Sequence, residues 1–380
     1  MVDNFYFLAA YTAASAVGFA EEDAQDIARS TRYVEDCTGY TVPDISSDSP
    51  ENPIKALRFW PAFHYPPGDF AQIKKRINPG LLESPDPLTT SACSLICLPQ
   101  SNLIQSIVQN AKNSWDKDST EVEMSALQEI GFAMHALCDS FLNQGFVGLS
   151  QQTLNSAGTI LRAKPPRRDQ MRSRLNEAMT APLQSVFETE PYVLQPAPTG
   201  FLGREQLGRL ADQPSAIFSY LSCWAEPPLL DCVNPLRYAY AYLQMRSALN
   251  YIRGASAAFD PQSPPEDVQF LLTLACYFST VDRDEDLPDS WAHQFPWLKH
   301  LPYYIRPTIE TERDYINTFQ MQAMRHQRFM AQTCAPLFLY GQTLKAIEQA
   351  SEKKATTEPA APLRADTPVK EVQGGVTVGH

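Results

Sequence analysis

Apolar residues recur most regularly in residues 121–148, EVEMSALQEIGFAMHALCDSFLNQGFVG. They follow one another at steps of three and four positions, which predicts a helix with a buried face. Thr120 and Glu123 have the spacing of a capping box at its start, and Gly145 is a suitable stop. The residues on the apolar face are Leu127, Ile130, Ala133, Met134, Leu137, Cys138 and Phe141.

The same spacing predicts helices along most of the chain. Residues 5–36 form one long helical stretch, in which Glu21 opens a second segment after Gly18. We find no convincing alternation of apolar and polar residues of the kind that predicts strands. Further helices are predicted over residues 101–114, 150–163, 204–210, 215–224, 236–253, 265–281 and 309–350. The connecting segments are the loops 41–70 and 282–308 and a loop insert over residues 163–200.

These elements predict an all-α fold, with a single multi-helix domain over residues 1–350 and long proline-rich loops. A chain of 380 residues has room for one large domain or two average ones. From Ser351 onward the sequence turns to Lys, Thr, Glu, Pro, Ala and Gly. Such a segment cannot bury a core, so residues 351–380 are predicted to be a disordered tail.

Composition and charge narrow the range of partners and compartments. The net charge of −12 argues against nucleic acid and against an anionic membrane surface, since both attract clustered Lys and Arg. The apolar N-terminal run has Asp3 where a signal peptide carries a positive charge, and no apolar run reaches the ~20 residues of a transmembrane helix. The eight cysteines are scattered, apart from Cys93 and Cys97. We therefore expect a cytoplasmic protein with reduced thiols and no transmembrane segment.

The central helix carries the first candidate chemistry, His135 and Asp139. They are one turn apart and so share a face of a largely apolar helix. Burying both side chains is costly unless something pairs with them. A divalent metal ion would do so, since it takes neutral imidazole and ionised carboxylate together. The alternative is that the imidazole simply hydrogen-bonds the carboxylate one turn on.

Short motifs elsewhere add a resemblance. An acidic pair stands in Tyr33-Val-Glu35-Asp36, an isolated His64 stands in Phe-His-Tyr-Pro, and the central helix reads His135-x-x-x-Asp139-x-x-x-Asn143-Gln-Gly-Phe. Together with the N-terminal aromatic helix, these features resemble an uncharacterised bacterial family of helical proteins related to zinc-dependent phospholipase C and the single-strand nucleases of that fold. The resemblance is strongest over residues 1–40, 60–70 and 124–150.

The resemblance implies a zinc-phospholipase-C-like fold with up to three zinc ions in a cleft between helices. One of these sites is formed by an Asp, a His and the His-x-x-x-Asp of the central helix. Its counterparts in this chain are the metal ligands Asp36, His64, His135 and Asp139, with Glu35 as a substitute or support for Asp36.

The other two metal sites of that family are broken in this chain. Tyr6 stands in Phe5-Tyr6-Phe7 where the family has Phe-His-His, and Asn143 replaces a histidine of the central helix. Of a downstream histidine-rich stretch only the acidic residue Asp212 is kept, with Glu205 as a further candidate. The resemblance therefore implies one zinc ion rather than three.

Two functions follow from these residues. The first is a zinc-dependent hydrolase that cleaves a phospho-ester or related ester of a small or lipid-like molecule. Glu35 or Asp36 would be its general base, and Tyr6, Asn143 and Asp212 would orient the substrate. The second is a catalytically degenerate pseudoenzyme, with a structural metal or none, that binds a protein partner in an immunity, scaffold or secretion-accessory role.

Overall fold

The computed structural model describes residues 3–41, 61–84, 87–117, 124–148, 152–193, 207–298 and 300–338. Helices of eight residues or more in these ranges are α1 (Asp3–Ala16), α2 (Glu21–Thr41), α3 (Asn102–Trp115), α4 (Met124–Leu142), α5 (Met171–Ala178), α6 (Asn234–Ile252), α7 (Val268–Phe278), α8 (Leu287–Gln294) and α9 (Ile309–Phe338). Shorter helices are Phe70–Lys74, Pro79–Leu82, Pro87–Ala92, Gln152–Asn155, Leu183–Val186 and Arg209–Asp212, with 3₁₀ turns at Cys93–Leu95 and Asp284–Asp286. None of the described helices is long and apolar enough to cross a membrane.

Helix α4 is the centre of the molecule. All of its residues from Ala126 to Leu142 are buried. It packs against α2, α3, α6 and α9, which surround it. A helix that is covered on every side needs apolar residues all round, and its polar side chains need partners. The polar residues of α4 are therefore candidates for a functional site.

Gly131 sets the distance between α4 and α2. A Cβ atom at this position would lie 2.4 Å from the Cβ of Ser30 and 2.9 Å from the backbone nitrogen of Thr31. No side chain larger than hydrogen fits between the two backbones without a shift of one helix. The close approach brings the last turns of α2 against the polar face of α4.

The prediction of an all-α fold is wrong, because a four-stranded antiparallel sheet lies beside the helices. Its strands are β1 (Ala157–Ala163), β2 (Thr189–Tyr192), β3 (Ile217–Ser222) and β4 (Leu229–Val233), in the order β2-β1-β3-β4. Register pairs include Ile160 with Tyr220 between β1 and β3, and Phe218 with Cys232 between β3 and β4.

Three predicted segments change their structure for this reason. The second half of the predicted helix 150–163 is strand β1, and the predicted short helix 215–224 contains strand β3. The predicted loop insert 163–200 contains α5 and β2. The predicted tail 351–380, much of the loop 41–70 and the capping box at Thr120 and Glu123 lie outside the described residues.

The N-terminus of helix α1 is capped by a residue that is distant in sequence. The carboxylate of Asp284 accepts hydrogen bonds from the backbone nitrogens of Asn4 at 2.7 Å and Phe5 at 3.0 Å. The first N–H groups of a helix have no partner within it, and a carboxylate also complements the positive end of the helix dipole. The Phe5 ring then packs on the rings of Tyr238 and Trp291, at 4.7 and 6.1 Å between centroids.

Candidate metal centre

Four side chains converge beside α4: Glu35, His64, His135 and Asp139. One nitrogen or oxygen atom from each lies within 4.8 Å of those of the other three. Glu35 comes from α2, His64 from the segment that precedes Phe70–Lys74, and His135 and Asp139 from α4. Both histidines and Asp139 are buried, and the Glu35 side chain is 12% exposed. These residue types are ligands of zinc and of other divalent transition metals.

The distances fit a single ion. His135 Nε2 lies 3.2 Å from His64 Nδ1 and 3.4 Å from Asp139 Oδ2, and the latter two atoms are 2.9 Å apart. Glu35 Oε1 lies 3.9 Å from His64 Nδ1 and 4.0 Å from His135 Nε2. Tetrahedral zinc with bonds of about 2.0–2.1 Å separates its ligand atoms by roughly 3.3 Å. Small side-chain movements are enough to reach that geometry.

Partners outside the cluster orient two of the four side chains. His135 donates from Nδ1 to the Thr31 carbonyl at 2.9 Å, which turns Nε2 towards the cluster. The Tyr6 hydroxyl donates to Asp139 Oδ1, which leaves Oδ2 for the cluster. Metal-ligating histidines and carboxylates commonly have such partners, which fix the ring orientation and the tautomer.

Two of the residues predicted to orient substrate contact members of the cluster. The Tyr6 ring stacks on His135 with 4.5 Å between centroids, and Tyr6 is fully buried. Asn143 donates from Nδ2 to the backbone carbonyl of His64 at 2.6 Å. The third, Asp212, ends the short helix Arg209–Asp212 and is not one of the four clustered residues.

Asp36, the ligand and general base that the resemblance implied, lies outside the cluster of four. Its Oδ1 accepts from Arg32 at 2.9 Å, and its Oδ2 accepts from the Tyr304 hydroxyl at 2.5 Å and lies 3.7 Å from Arg306. The neighbouring Glu35 provides the second carboxylate of the cluster. Among the described residues, Glu35 makes no hydrogen bond and is the least constrained member of the cluster.

A signal for Glu35 is present in the sequence of α2. Glu35 comes four residues after Thr31 and therefore lies on the face of α2 that meets α4, whereas Asp36 comes four residues after Arg32 and pairs with it. The Thr31 carbonyl that holds His135 was missed for another reason, since it is a backbone group and leaves no motif. The buried face of α2 comprises Ala24, Ile27, Ala28, Thr31 and Val34.

His135 and Asp139 shift each other's pKa. Burial by itself would raise the pKa of Asp139, but the charges and hydrogen bonds of His135 and His64 hold that pKa well below its usual range. Burial lowers the pKa of His135, yet Asp139 and Glu35 outweigh it and the pKa ends above its ordinary 6.5. In the metal-free site the two carboxylates thus favour the protonated form of the imidazole. A divalent cation bound by neutral histidines and two carboxylates would replace that proton and leave the buried site neutral overall.

Fold and site together define a mainly helical protein with a buried cluster of two histidines and two carboxylates that is able to hold a metal ion. The chain belongs to the family of unknown function DUF6765, whose model matches residues 1–335 and so includes all four clustered residues. No curated protein and no solved structure matches the chain. The comparisons thus give no support to a zinc-phospholipase-C-like fold.

Proposed function

We propose that this protein binds one zinc ion at Glu35, His64, His135 and Asp139 and acts as a hydrolase on a small phospho-ester or related ester. The observation that carries the proposal is the approach of four ligand atoms to within 4.8 Å of one another in a buried site. Two imidazole nitrogens and two carboxylate oxygens match the preferences of zinc. The two carboxylates also balance its charge, which a buried site requires.

Glu35 is the residue that makes hydrolysis a suitable use of the site. When bound, zinc provides an activated water at neutral pH and polarises a substrate oxygen. Glu35 Oε1 is free of hydrogen bonds among the described residues and is the part of the cluster nearest to solvent. In the hydrolase Glu35 would leave the ion, so that three residues hold the metal and one position is open for water, and its carboxylate would accept the proton that the attacking water loses. The burial of the other three residues favours a small substrate over a large one.

Metal analysis and turnover test the proposal in sequence. Protein purified without chelators should contain about one zinc per chain. Wild type should cleave a generic phosphodiester, and Glu35→Gln should slow the reaction by about 100-fold or more while the zinc remains bound. A protein that contains no metal and takes up none would reject the proposal. Zinc without turnover would reject only the hydrolase part.

A structural ion in a protein-binding module is the second candidate function. Four protein ligands and a buried site are typical of structural zinc, whereas catalytic zinc keeps an open position. In this case wild type and Glu35→Gln would both lack turnover, and chelation would lower the melting temperature by several degrees. Retention of a partner protein by the zinc-loaded form alone would then support this function.

Metal affinity should rise with pH, whereas the contribution of His135 to the stability of the metal-free protein should fall with pH. Zinc must displace the proton from His135, so its affinity should fall at least about tenfold between pH 7.5 and pH 5.5. In metal-free protein, the raised pKa of His135 contributes stability below about pH 6.5 that is lost as pH rises through the folded pKa. The lowered pKa of Asp139 contributes stability above about pH 4 that is lost on acidification.

Calorimetric zinc titrations and thermal melts of the stripped protein over this pH range measure the two effects separately. Tighter zinc binding at the lower pH would contradict the assignment of His135 as a ligand.

Tyr6→Phe should weaken zinc binding by about tenfold, since it removes the hydroxyl that fixes Asp139. The phenyl ring keeps the stacking on His135, so the fold should remain intact. Competition with a chromophoric chelator measures the change in affinity. Tyr240→Phe, which removes the hydroxyl of a half-buried tyrosine on α6, is the control and should leave the affinity unchanged. Equal effects of both substitutions would rule out a specific role for Tyr6.

A further inference from the structure

A second buried polar cluster joins α9 to the central helix. His326 of α9 is fully buried, and its Nδ1 lies 3.0 Å from Oε1 of Glu129 on α4. Nε2 of the same ring lies 3.2 Å from the backbone carbonyl of Ala62. Asn110 donates to the same Glu129 oxygen at 2.7 Å. These groups lie outside the four proposed metal ligands.

Both ring nitrogens of His326 face oxygen atoms that accept hydrogen bonds. A carbonyl oxygen is only an acceptor, so Nε2 must carry a proton to bond Ala62. The hydrogen bond between Nδ1 and the Glu129 carboxyl group requires one more proton, which leaves the two side chains neutral together. This arrangement keeps a buried ion pair neutral as a whole and commits Nε2–H to one backbone carbonyl.

The carbonyl that His326 binds belongs to the segment that carries His64. Ala62 is two residues before His64, and the ring of Phe63 between them lies 5.2 Å from the His326 ring. Asn143 holds the His64 carbonyl itself. Ala62, Phe63 and His64 are each 2–3% exposed, so the segment is enclosed. Two side-chain donors, one from α9 and one from the end of α4, thus fix this segment at two carbonyls.

We propose that His326, held by Glu129, is a positioning residue that sets the place of His64 in the metal centre. The inference rests on the proposed function for its metal readout. Helix α9 would then contribute to the site through a backbone carbonyl, although it provides none of the four ligands. A purely structural role would affect stability alone and leave His64 where it is.

Two variants separate the positioning role from the loss of the ion pair. Glu129→Gln removes the charge but leaves a neutral His326 able to donate from Nε2 to Ala62. Glu129→Gln combined with His326→Phe lacks this donor and keeps an aromatic ring against Phe63. Neither variant leaves a buried charge unpaired. Gln128→Leu is the control for the docking of α9, since Gln128 is buried and donates to the Tyr315 carbonyl without touching Ala62.

The first readout is the rate at which diethyl pyrocarbonate modifies His64 in metal-stripped protein, followed by mass spectrometry. The exposed His300 serves as the internal reference. The double variant should modify His64 at least about tenfold faster, whereas Glu129→Gln and Gln128→Leu should stay within about twofold of wild type. Cobalt(II) titrations provide the second readout, and the double variant should bind about tenfold more weakly with an altered visible spectrum.

These outcomes distinguish the inference from the proposed function. If wild type binds no metal, the proposed function fails, but the modification rates still decide whether His326 positions His64. Equal rates in the double variant and in Gln128→Leu would overturn the inference. If the double variant does not fold, ¹⁵N-histidine spectra of wild type decide instead: Nε2 of His326 should carry a proton, and an unprotonated Nε2 would overturn the proposal.

Discussion

Asp139→Ala is expected to abolish metal binding and to lower the free energy of unfolding by about 3–5 kcal/mol. The Asp139 carboxylate lies 2.9 Å from His64 and 3.4 Å from His135 and accepts from the Tyr6 hydroxyl. Its removal leaves a fully buried imidazole without the negative charge that holds its proton. No other group of the cluster can take its place, because Glu35 lies farther from both rings.

Metal content and urea unfolding measure the two parts of this result. Asp139→Asn keeps the shape of the side chain and should lose the metal at a smaller cost in stability. The matched control is Asp36→Asn, which removes a carboxylate next to Glu35 that bonds Arg32 and Tyr304 instead of the cluster. Loss of metal in Asp36→Asn with retention in Asp139→Asn would show that Asp36, and not Asp139, binds the metal.

Gly131→Ala is expected to lower the free energy of unfolding by about 3 kcal/mol, the upper end of the usual cost of overpacking. The added methyl group would meet the Cβ of Ser30 at 2.4 Å and the backbone of Thr31 at 2.9 Å, so α2 must move away from α4. Because α2 carries the Thr31 carbonyl and Glu35, the same substitution should also weaken metal binding.

Gly80→Ala provides the control for this substitution. Gly80 lies in the short helix Pro79–Leu82, and a Cβ there would meet nothing closer than an Asn78 side-chain oxygen at 3.4 Å. Alanine is also the better helix former, so the control should be neutral or stabilising by a few tenths of a kcal/mol, or about 0.5 at most. Urea unfolding of both variants tests the contrast, and a neutral Gly131→Ala would show that α2 and α4 are not in close contact.

The helical part of the structure was largely predictable from apolar spacing. The pattern in residues 121–148 corresponds to α4, and the pattern in 236–253 corresponds to α6 (Asn234–Ile252). His135 and Asp139 share a face of α4, as their spacing predicts, with 3.4 Å between the nearest atoms. The physical reason is that a buried helix must keep its apolar residues at helical steps, whatever surrounds it.

The sheet escaped prediction because its strands lack the alternation that identifies a half-buried strand. Strand β3, IFSYLS, is buried at five of its six positions, so both of its faces are covered and its polar residues do not alternate. Strand β1 has an irregular register between Ala157 and Ile160, and β2 is a four-residue edge strand that contains a proline. Short strands of this kind resemble loops or buried helical turns in sequence.

The candidate site was also predictable only in part. The pair on α4 is local and follows from spacing, whereas His64 reaches the site from a segment whose path no periodic pattern describes. Glu35 and Asp36 are chemically similar neighbours, and a rotation of about 100° along the helix decides which one faces α4. The outer partners Tyr6 and Thr31 depend on tertiary packing and carry no motif of their own.

The carboxylate that closes α1 has a consequence for synthesis on the ribosome. The partner of the Asn4 backbone nitrogen, Asp284, is translated 280 residues later. At about 5–20 residues per second, this delay is on the order of tens of seconds. During that time the nascent helix, which carries the apolar run FYFLAAYTAASA, has neither its cap nor the aromatic residues that later cover it. We therefore expect the emerging α1 to be a chaperone substrate until the segment that carries Asp284 has left the exit tunnel.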